Sequence, residues 1–433
     1  MTDSSAEVRR RSLMRDEAGG HARVGYAELF FDLVFVFAIT QLSHFLLAHL
    51  TPLGALQAAV QLLAVWWAWI FTTWATNWLD PDRAANRLML AGVMLGGLVM
   101  ASSIGSSFAE RAPMFAGAYV AVQVGRSAFA AWAMRRASPV NSRGMVRITL
   151  WFAATAPLWL GGAIQPDPDL RLALWAAALA IEYAGTVVRF SVPGLGRSAT
   201  AEWDISGPHM AERCALFVII CLGEGLLITG ATFAGEPVTP ASTSAFLAAF
   251  VSSFATWWVY FDVGAKRGAE HIETNASPAR VAQVAFTWGH LPIVAGIVTM
   301  AVADELVLAH PAEPAHPEFV AVLGGGIALF LGGTMLFKRI SSGNPWFPLS
   351  HIVGLALTAL LVLWGLVAHP ASVAMAWVAA AILVLVALWE WVSFHGGWIE
   401  RLEASGLPGT AALAVWSRRR AGRIAARRGP DLL

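Results

Sequence analysis

Charge is scarce in this chain, and sulfur is scarcer. Only 13% of the 433 residues are Asp, Glu, Lys or Arg, against roughly 25% in soluble domains, which excludes an ordinary soluble globular protein. The two cysteines, Cys214 and Cys221, fall on one predicted helix about 10 Å apart along its axis. They are too far apart for a disulfide and too few for a metal centre. No metal-ligand spacing, nucleotide loop or nucleophile elbow is present, so no cofactor, metal or catalytic residue is expected and an enzyme is the weaker reading. A net charge of +1, with arginines scattered over short connections, leaves no basic stripe for nucleic acid. Lysine is almost missing, 2 against 27 arginines, which points to a GC-rich bacterial genome.

What is there is hydrocarbon. Of all residues 57% are hydrophobic and 20 are Trp. Apolar runs long enough to span a bilayer occur at about 28–49, 53–79, 87–108, 113–134, 146–164, 170–190, 209–234, 241–262, 281–308, 317–337, 346–368 and 371–394. The expected fold class is therefore an all-α polytopic membrane protein of about twelve transmembrane helices, with membrane lipids as its first partners. Basic residues set the orientation, because cytoplasmic connections carry the excess of Lys and Arg. The two tails and alternate connections hold 25 of the 29 basic residues, and the opposite connections hold only Arg111 and Arg171. Both termini are accordingly placed in the cytoplasm of a bacterial plasma membrane. The first span, with Glu28 and Asp32 in it, reads as an uncleaved anchor rather than a signal peptide.

An even number of spans invites division into two sixes in the same orientation. The halves echo each other: Glu28 opens span 1 and Glu212 opens span 7, Trp66-Trp67 in span 2 matches Trp257-Trp258 in span 8, and Trp175 and Trp377 head similar Ala-rich runs. The expected organisation is a basic tail (1–27), a six-helix repeat (28–190), a linker (191–208), a second six-helix repeat (209–394) and a basic tail (395–433). Arg418-Arg419-Arg420 and Arg427-Arg428 in that last tail suit anionic headgroups.

Ionisable residues inside the spans are the candidate functional set, since each costs on the order of 3 kcal/mol at mid-bilayer and so faces a bundle interior. They are Glu28, Asp32 and His44 in span 1, Arg126 in span 4, Glu182 in span 6, Glu212, Arg213 and Glu224 in span 7, and His290 in span 9. On span 1, Glu28, Asp32, Thr40, Ser43 and His44 fall within one half of the helix, a single polar seam. Arg213 and Glu224 share a face of span 7 some 16 Å apart. Glu224 lies between Gly223 and Gly225, which permit close approach or a broken helix, and it reads either as an ion site or as the buried partner of Arg126 or His290. Pro292 after His290 predicts a kink. The tryptophans of span 2 read as packing residues, and the glycines at 92, 96, 161–162, 324–326 and 332–333 as close helix contacts.

The stretch Glu28-Leu-Phe-Phe-Asp-Leu-Val-Phe-Val-Phe-Ala-Ile-Thr-Gln-Leu-Ser-His strongly resembles the signature of the bacterial low-temperature-requirement protein A (LtrA) family, and Glu212-Arg213-Cys-Ala-Leu-Phe-Val-Ile-Ile-Cys-Leu-Gly-Glu224 resembles its second motif. Span 1 is also similar to the opening helix of the endolysosomal and bacterial potassium channels that carry an Arg-x-x-x-Phe-Ser-Asp signature, matching at Phe30, Asp32, Val34-Phe35, Ala38, Ile39 and Thr40 and departing at Tyr26 and Phe31. That likeness implies a pore-lining role for span 1. The expected function is transport or conduction of a small cation, potassium, sodium or proton, or of a small molecule, along spans 1 and 7. Lipid handling or an enzyme supporting growth in the cold, and a structural or sensory protein without flux, are the alternatives. A homo-oligomer is among the partners this reading admits.

Overall fold

The computed structural model describes residues 13–15, 24–198, 206–262, 281, 283–342 and 346–394. Twelve α-helices run through them: α1 (Tyr26–Ala48), α2 (Pro52–Trp78), α3 (Ala84–Ser103), α4 (Ala112–Met134), α5 (Pro139–Ala163), α6 (Pro168–Val187), α7 (Gly207–Gly235), α8 (Pro240–Phe261), α9 (His290–Ala309), α10 (Pro317–Ser342), α11 (Leu349–Ala368) and α12 (Ser372–Phe394). No strand forms among the described residues, only isolated bridges such as Met14 with Leu79. Ten helices are long and apolar enough to cross a membrane; α4 and α5 are as long but carry Gln123, Arg126, Arg143 and Arg147. The protein is thus an all-helical, multi-pass membrane protein. The carboxyl tail, the 263–280 connection and most of the amino tail assigned above lie outside the described residues.

Proline starts the helices. It stands in the first turn of α2, α4, α5, α6, α7 and α8, where the missing N–H has no intrahelical acceptor to lose. Side-chain oxygens of Thr51, Asp167, Ser206 and Thr239 cap four of these starts. The same logic removes the kink expected at Pro292. It sits third in α9, among the unbonded N–H groups, and the backbone irregularity comes earlier, as a π-helical turn at Gln283–Trp288 closed by Gly289.

Several packing pairs recur at an interval of six helices. In the first half α1 packs on α2 and α3, α3 on α4, α4 on α5, α5 on α6, and α2 on α6. Adding six to each number gives pairs that also pack, α7 on α8 and α9 through α8 on α12. Across the halves, α1 meets α7 and α9, and α2 meets α7. A close backbone approach lies between α9 and α10, where a Cβ on Gly296 would stand 2.5 Å from the Phe330 nitrogen and one on Gly333 2.8 Å from the Ile293 nitrogen. Glycine is the side chain those crossings require.

Candidate functional site: a charged cluster between the two halves

The site is built where α1, α2 and α7 meet, close to the end of the bundle at which α1 starts. Glu28 and Asp32, one turn apart, put both carboxylates on the inward stripe of α1 that continues through Phe35, Ile39 and Leu42. Across from them α7 supplies Arg213. Its Nη2 donates to Asp32 Oδ1 at 2.6 Å, and its Nη1 lies 3.0 Å from Glu28 Oε1. All three side chains are fully buried. From α2, the Trp69 indole N–H donates to the same Asp32 Oδ1 at 2.7 Å. The other oxygen, Oδ2, is buried with no hydrogen-bond partner, as are Arg213 Nε and Nη1, the latter held to Glu28 by charge alone.

A second guanidinium comes from outside the helices. Residues 13–15 fold back on the end of α2, where Arg15 N bonds Trp78 O and the Arg15 side chain bonds Thr76 O at 2.8 Å. This aims Arg15 Nη2 at Glu28 Oε2, 2.8 Å away. That Glu28 oxygen also accepts from the Gly25 N–H, so the side chain caps its own helix. His209 in the first turn of α7 completes the cluster, with Nε2 3.1 Å from Glu28 Oε1. The Asn77 amide is oriented by reciprocal bonds with the Ser206 backbone, its Oδ1 accepting from Ser206 N and its Nδ2 donating to Ser206 O, so Nδ2 also faces His209 Nδ1 as donor. Nδ1 is the acceptor on that side, and Nε2 lies between Glu28 Oε1 and Arg15 Nη2, 3.1 Å from each. Two carboxylates, two guanidiniums and a neutral imidazole make an electrically balanced group.

Farther along the same interface Thr40 Oγ1 donates to Glu224 Oε1 at 2.6 Å, again joining α1 to α7. Beyond Glu224, Thr256, Ser252 and Asp304 edge a small recess with room for roughly one water. Thr40 is eight positions beyond Asp32, about 12 Å of rise. That interval is apolar: Phe35 and Ile39 of α1 and Phe217, Val218 and Cys221 of α7 are all buried, with Phe217 stacked on Trp69 of α2 at 4.3 Å and the Phe35 ring beside Gly97 of α3. Polar groups at both levels are thus separated by a hydrocarbon plug. Among the described residues no group of three or more His, Cys, Asp or Glu could hold a metal ion.

Two further polar cores sit inside the halves. Glu182 of α6 accepts from Tyr119 of α4 (2.5 Å), Thr155 of α5 (2.7 Å) and the Trp159 indole (2.9 Å). Glu390 of α12 pairs with Lys338 of α10 and lies 3.3 Å from His351 of α11. The cations obey the same correspondence. Arg126 of α4 donates to Ala68 O of α2 at 3.2 Å, and Lys338 of α10 donates to Val259 O of α8 at 2.9 Å. Each acceptor is the residue directly after a Trp-Trp pair, Trp66-Trp67 or Trp257-Trp258.

The structure therefore brings Glu28, Asp32 and Arg213 together, with Glu224 on the same interface, and sends the other candidates elsewhere. His44 and Glu212 are exposed, so the seam along span 1 ends at Ser43 and the Glu28–Glu212 equivalence places one carboxylate inside and the other outside. Glu224 pairs with neither Arg126 nor His290. Arg126 lies over the rings of Phe71 and Phe152, and His290 bonds Tyr260 and Ala285 O. Helix α7 runs unbroken through Gly223-Glu224-Gly225. Arg15, assigned to the tail, and His209, Asn77 and Trp69 are the site residues that sequence reasoning leaves out. The tryptophans of α2 do more than pack, since Trp66 and Trp74 both donate to Thr287 in the π-helical turn (2.9 and 3.1 Å).

Twelve helices and a buried, charge-balanced cluster where α1, α2 and α7 meet define an integral membrane protein. The chain belongs to the bacterial low temperature requirement A protein (LtrA) family, which matches residues 23–388. It is 40% identical over 380 residues to an uncharacterised protein of Rhizobium meliloti (strain 1021), covering 88% of this chain and 92% of that one. No solved structure matches it.

Proposed function

We propose that the protein moves a small cation across the bacterial plasma membrane along the α1–α7 interface, with both termini in the cytoplasm, and that the cation is the proton. The observation that carries this reading is the buried, unpartnered Asp32 Oδ2 inside a group whose formal charges already cancel. A buried acceptor without a partner costs about 1–3 kcal/mol, and a proton or a water satisfies it. Potassium or sodium would need a surplus of negative charge or a ring of oxygens, whereas Arg15 and Arg213 already neutralise Glu28 and Asp32. Thr40 and Glu224 would form the next station, reached when the buried hydrocarbon between the two levels hydrates. The similarity of span 1 to a pore-lining helix supports the same pathway.

The test is flux in liposomes holding a pH-sensitive dye, driven by a potassium diffusion potential, with potassium and sodium uptake measured in parallel. Wild type is expected to acidify the lumen faster than empty liposomes. Asp32→Asn and Glu224→Gln should each lower the rate at least about tenfold, equivalent to roughly 1.4 kcal/mol, in monodisperse protein of normal yield. No flux of any of the three ions above the empty-liposome control, or unaltered flux in both variants, would overturn the proposal.

A further inference from the structure

At the end of the bundle opposite the charged cluster, α1 and α2 part from α9 and α10 and leave a crevice of about 550 Å³ between the two halves. Its walls are almost wholly hydrocarbon, with Leu46, Ala58 and Leu62 on one side and Val298, Ala321 and Leu329 on the other. Only Thr51, Thr299 and Glu318 among its lining residues carry polar side chains. Both threonines are satisfied within their own helices, Thr51 capping Gly54 N and Thr299 bonding Ala295 O. Glu318, in the first turn of α10, is exposed and is the single formal charge on the rim.

Three features say what fills the space. First, these walls belong to membrane-spanning helices, so the surrounding medium is lipid and a dry apolar opening fills with lipid rather than water. Second, the crevice extends from Pro52 to Leu62 on α2 and from Glu318 to Leu329 on α10. That is about 15 Å of helix rise, half of a ~30 Å hydrocarbon core and hence the depth of one leaflet. Third, small residues hold it open: a Cβ on Gly325 would meet nothing within 4 Å, whereas one on neighbouring Gly326 would strike the α9 backbone at 2.9 Å. We propose that the crevice binds one phospholipid whose headgroup carries a free ammonium, an acyl chain lying between the halves and the ammonium paired with Glu318. An anionic headgroup would meet repulsion there.

Native mass spectrometry of the purified full-length chain tests this, with phosphatidylethanolamine and phosphatidylglycerol of identical chains added in equal amounts. The wild type is expected to retain one phosphatidylethanolamine per chain in preference to phosphatidylglycerol by at least about tenfold. Gly325→Leu and, from the opposite wall, Ala58→Phe should each reduce retention at least about tenfold in monodisperse protein. Glu318→Gln should keep a lipid but lose the preference. Retention unchanged in whichever wall variant folds, or wild-type binding without preference or with preference for phosphatidylglycerol, would overturn the assignment.

Discussion

Arg213 is the residue on which the cluster depends. It alone touches both carboxylates of α1, through Nη2 to Asp32 and Nη1 to Glu28. Removing one partner of a buried ionic group costs about 3–5 kcal/mol, because the remaining charge stays buried without compensation. Arg213→Met is therefore expected to lower the midpoint of thermal unfolding sharply and to leave little monodisperse protein on size exclusion. Asp32→Asn should behave differently. The amide oxygen keeps the Trp69 and Arg213 bonds, so unfolding should shift little while flux falls. Equal loss of folded protein in the two variants would contradict this division. Glu28, Asp32 and Arg213 are legible in the sequence because an ionisable group in an apolar run is tolerated only where it turns away from lipid. His44 is not, because periodicity gives angles between residues on a helix but not which angle faces inward. His44 lies about 120° from Asp32 around the helix, and that is enough to put it outside. Glu212 fails similarly, one residue and about 100° from Arg213. Arg15 is out of reach altogether, since a fold-back against Trp78 and Thr76 leaves no periodic trace.

Among the elements, the α9–α10 pair is the tightest and the most sensitive to side-chain volume. Gly326 and Gly325 are neighbours with opposite surroundings, one against the Met300 nitrogen and the other against open space. Leucine favours the helix over glycine at either position, so any loss reports on packing alone. Gly326→Leu is expected to destabilise by about 1–3 kcal/mol or more, the range for overpacking, whereas Gly325→Leu should leave the unfolding midpoint within error of wild type. Thermal unfolding of both in the same detergent checks this, and equal effects would mean that the two helices cross differently. Glycine runs at 324–326 and 332–333 signal a close contact in the sequence. The partner glycine, Gly296, stands alone in an apolar run and gives no such signal.

For the whole molecule, apolar run length makes twelve helices legible, while the relation between halves is only partly so. The Trp-Trp pairs of spans 2 and 8 mark corresponding places, because the carbonyl after each accepts from a buried cation on the fourth helix of its half. The sequence hides that match, since one cation is Arg126 in mid-helix and the other is Lys338 near a helix end. Superposition of α1–α6 on α7–α12 should be a rotation about the membrane normal that carries Arg126 onto Lys338 and Glu182 onto Glu390. An in-plane axis, or α1 at the lipid periphery, would remove the duplication. Topology can be read separately: a reporter fused after residue 236 should report periplasm and one after residue 270 cytoplasm, and reversed signals would invert the orientation.

The reach of Arg15 and Arg213 into one cluster bears on how the chain is made. Arg15 is available to Glu28 from the start, but Glu28 and Asp32 enter the membrane while Arg213 is still some 180 codons from being translated, so the nascent first hairpin carries two carboxylates against one guanidinium. Until α7 inserts, they must stay near the aqueous mouth of the insertion machinery or travel protonated. Their pairing with Arg213 then acts as a checkpoint on synthesis: a chain truncated within the linker before α7 keeps an unneutralised first helix and should be a substrate for membrane quality control, and co-expression of the missing second half as a separate polypeptide should rescue it.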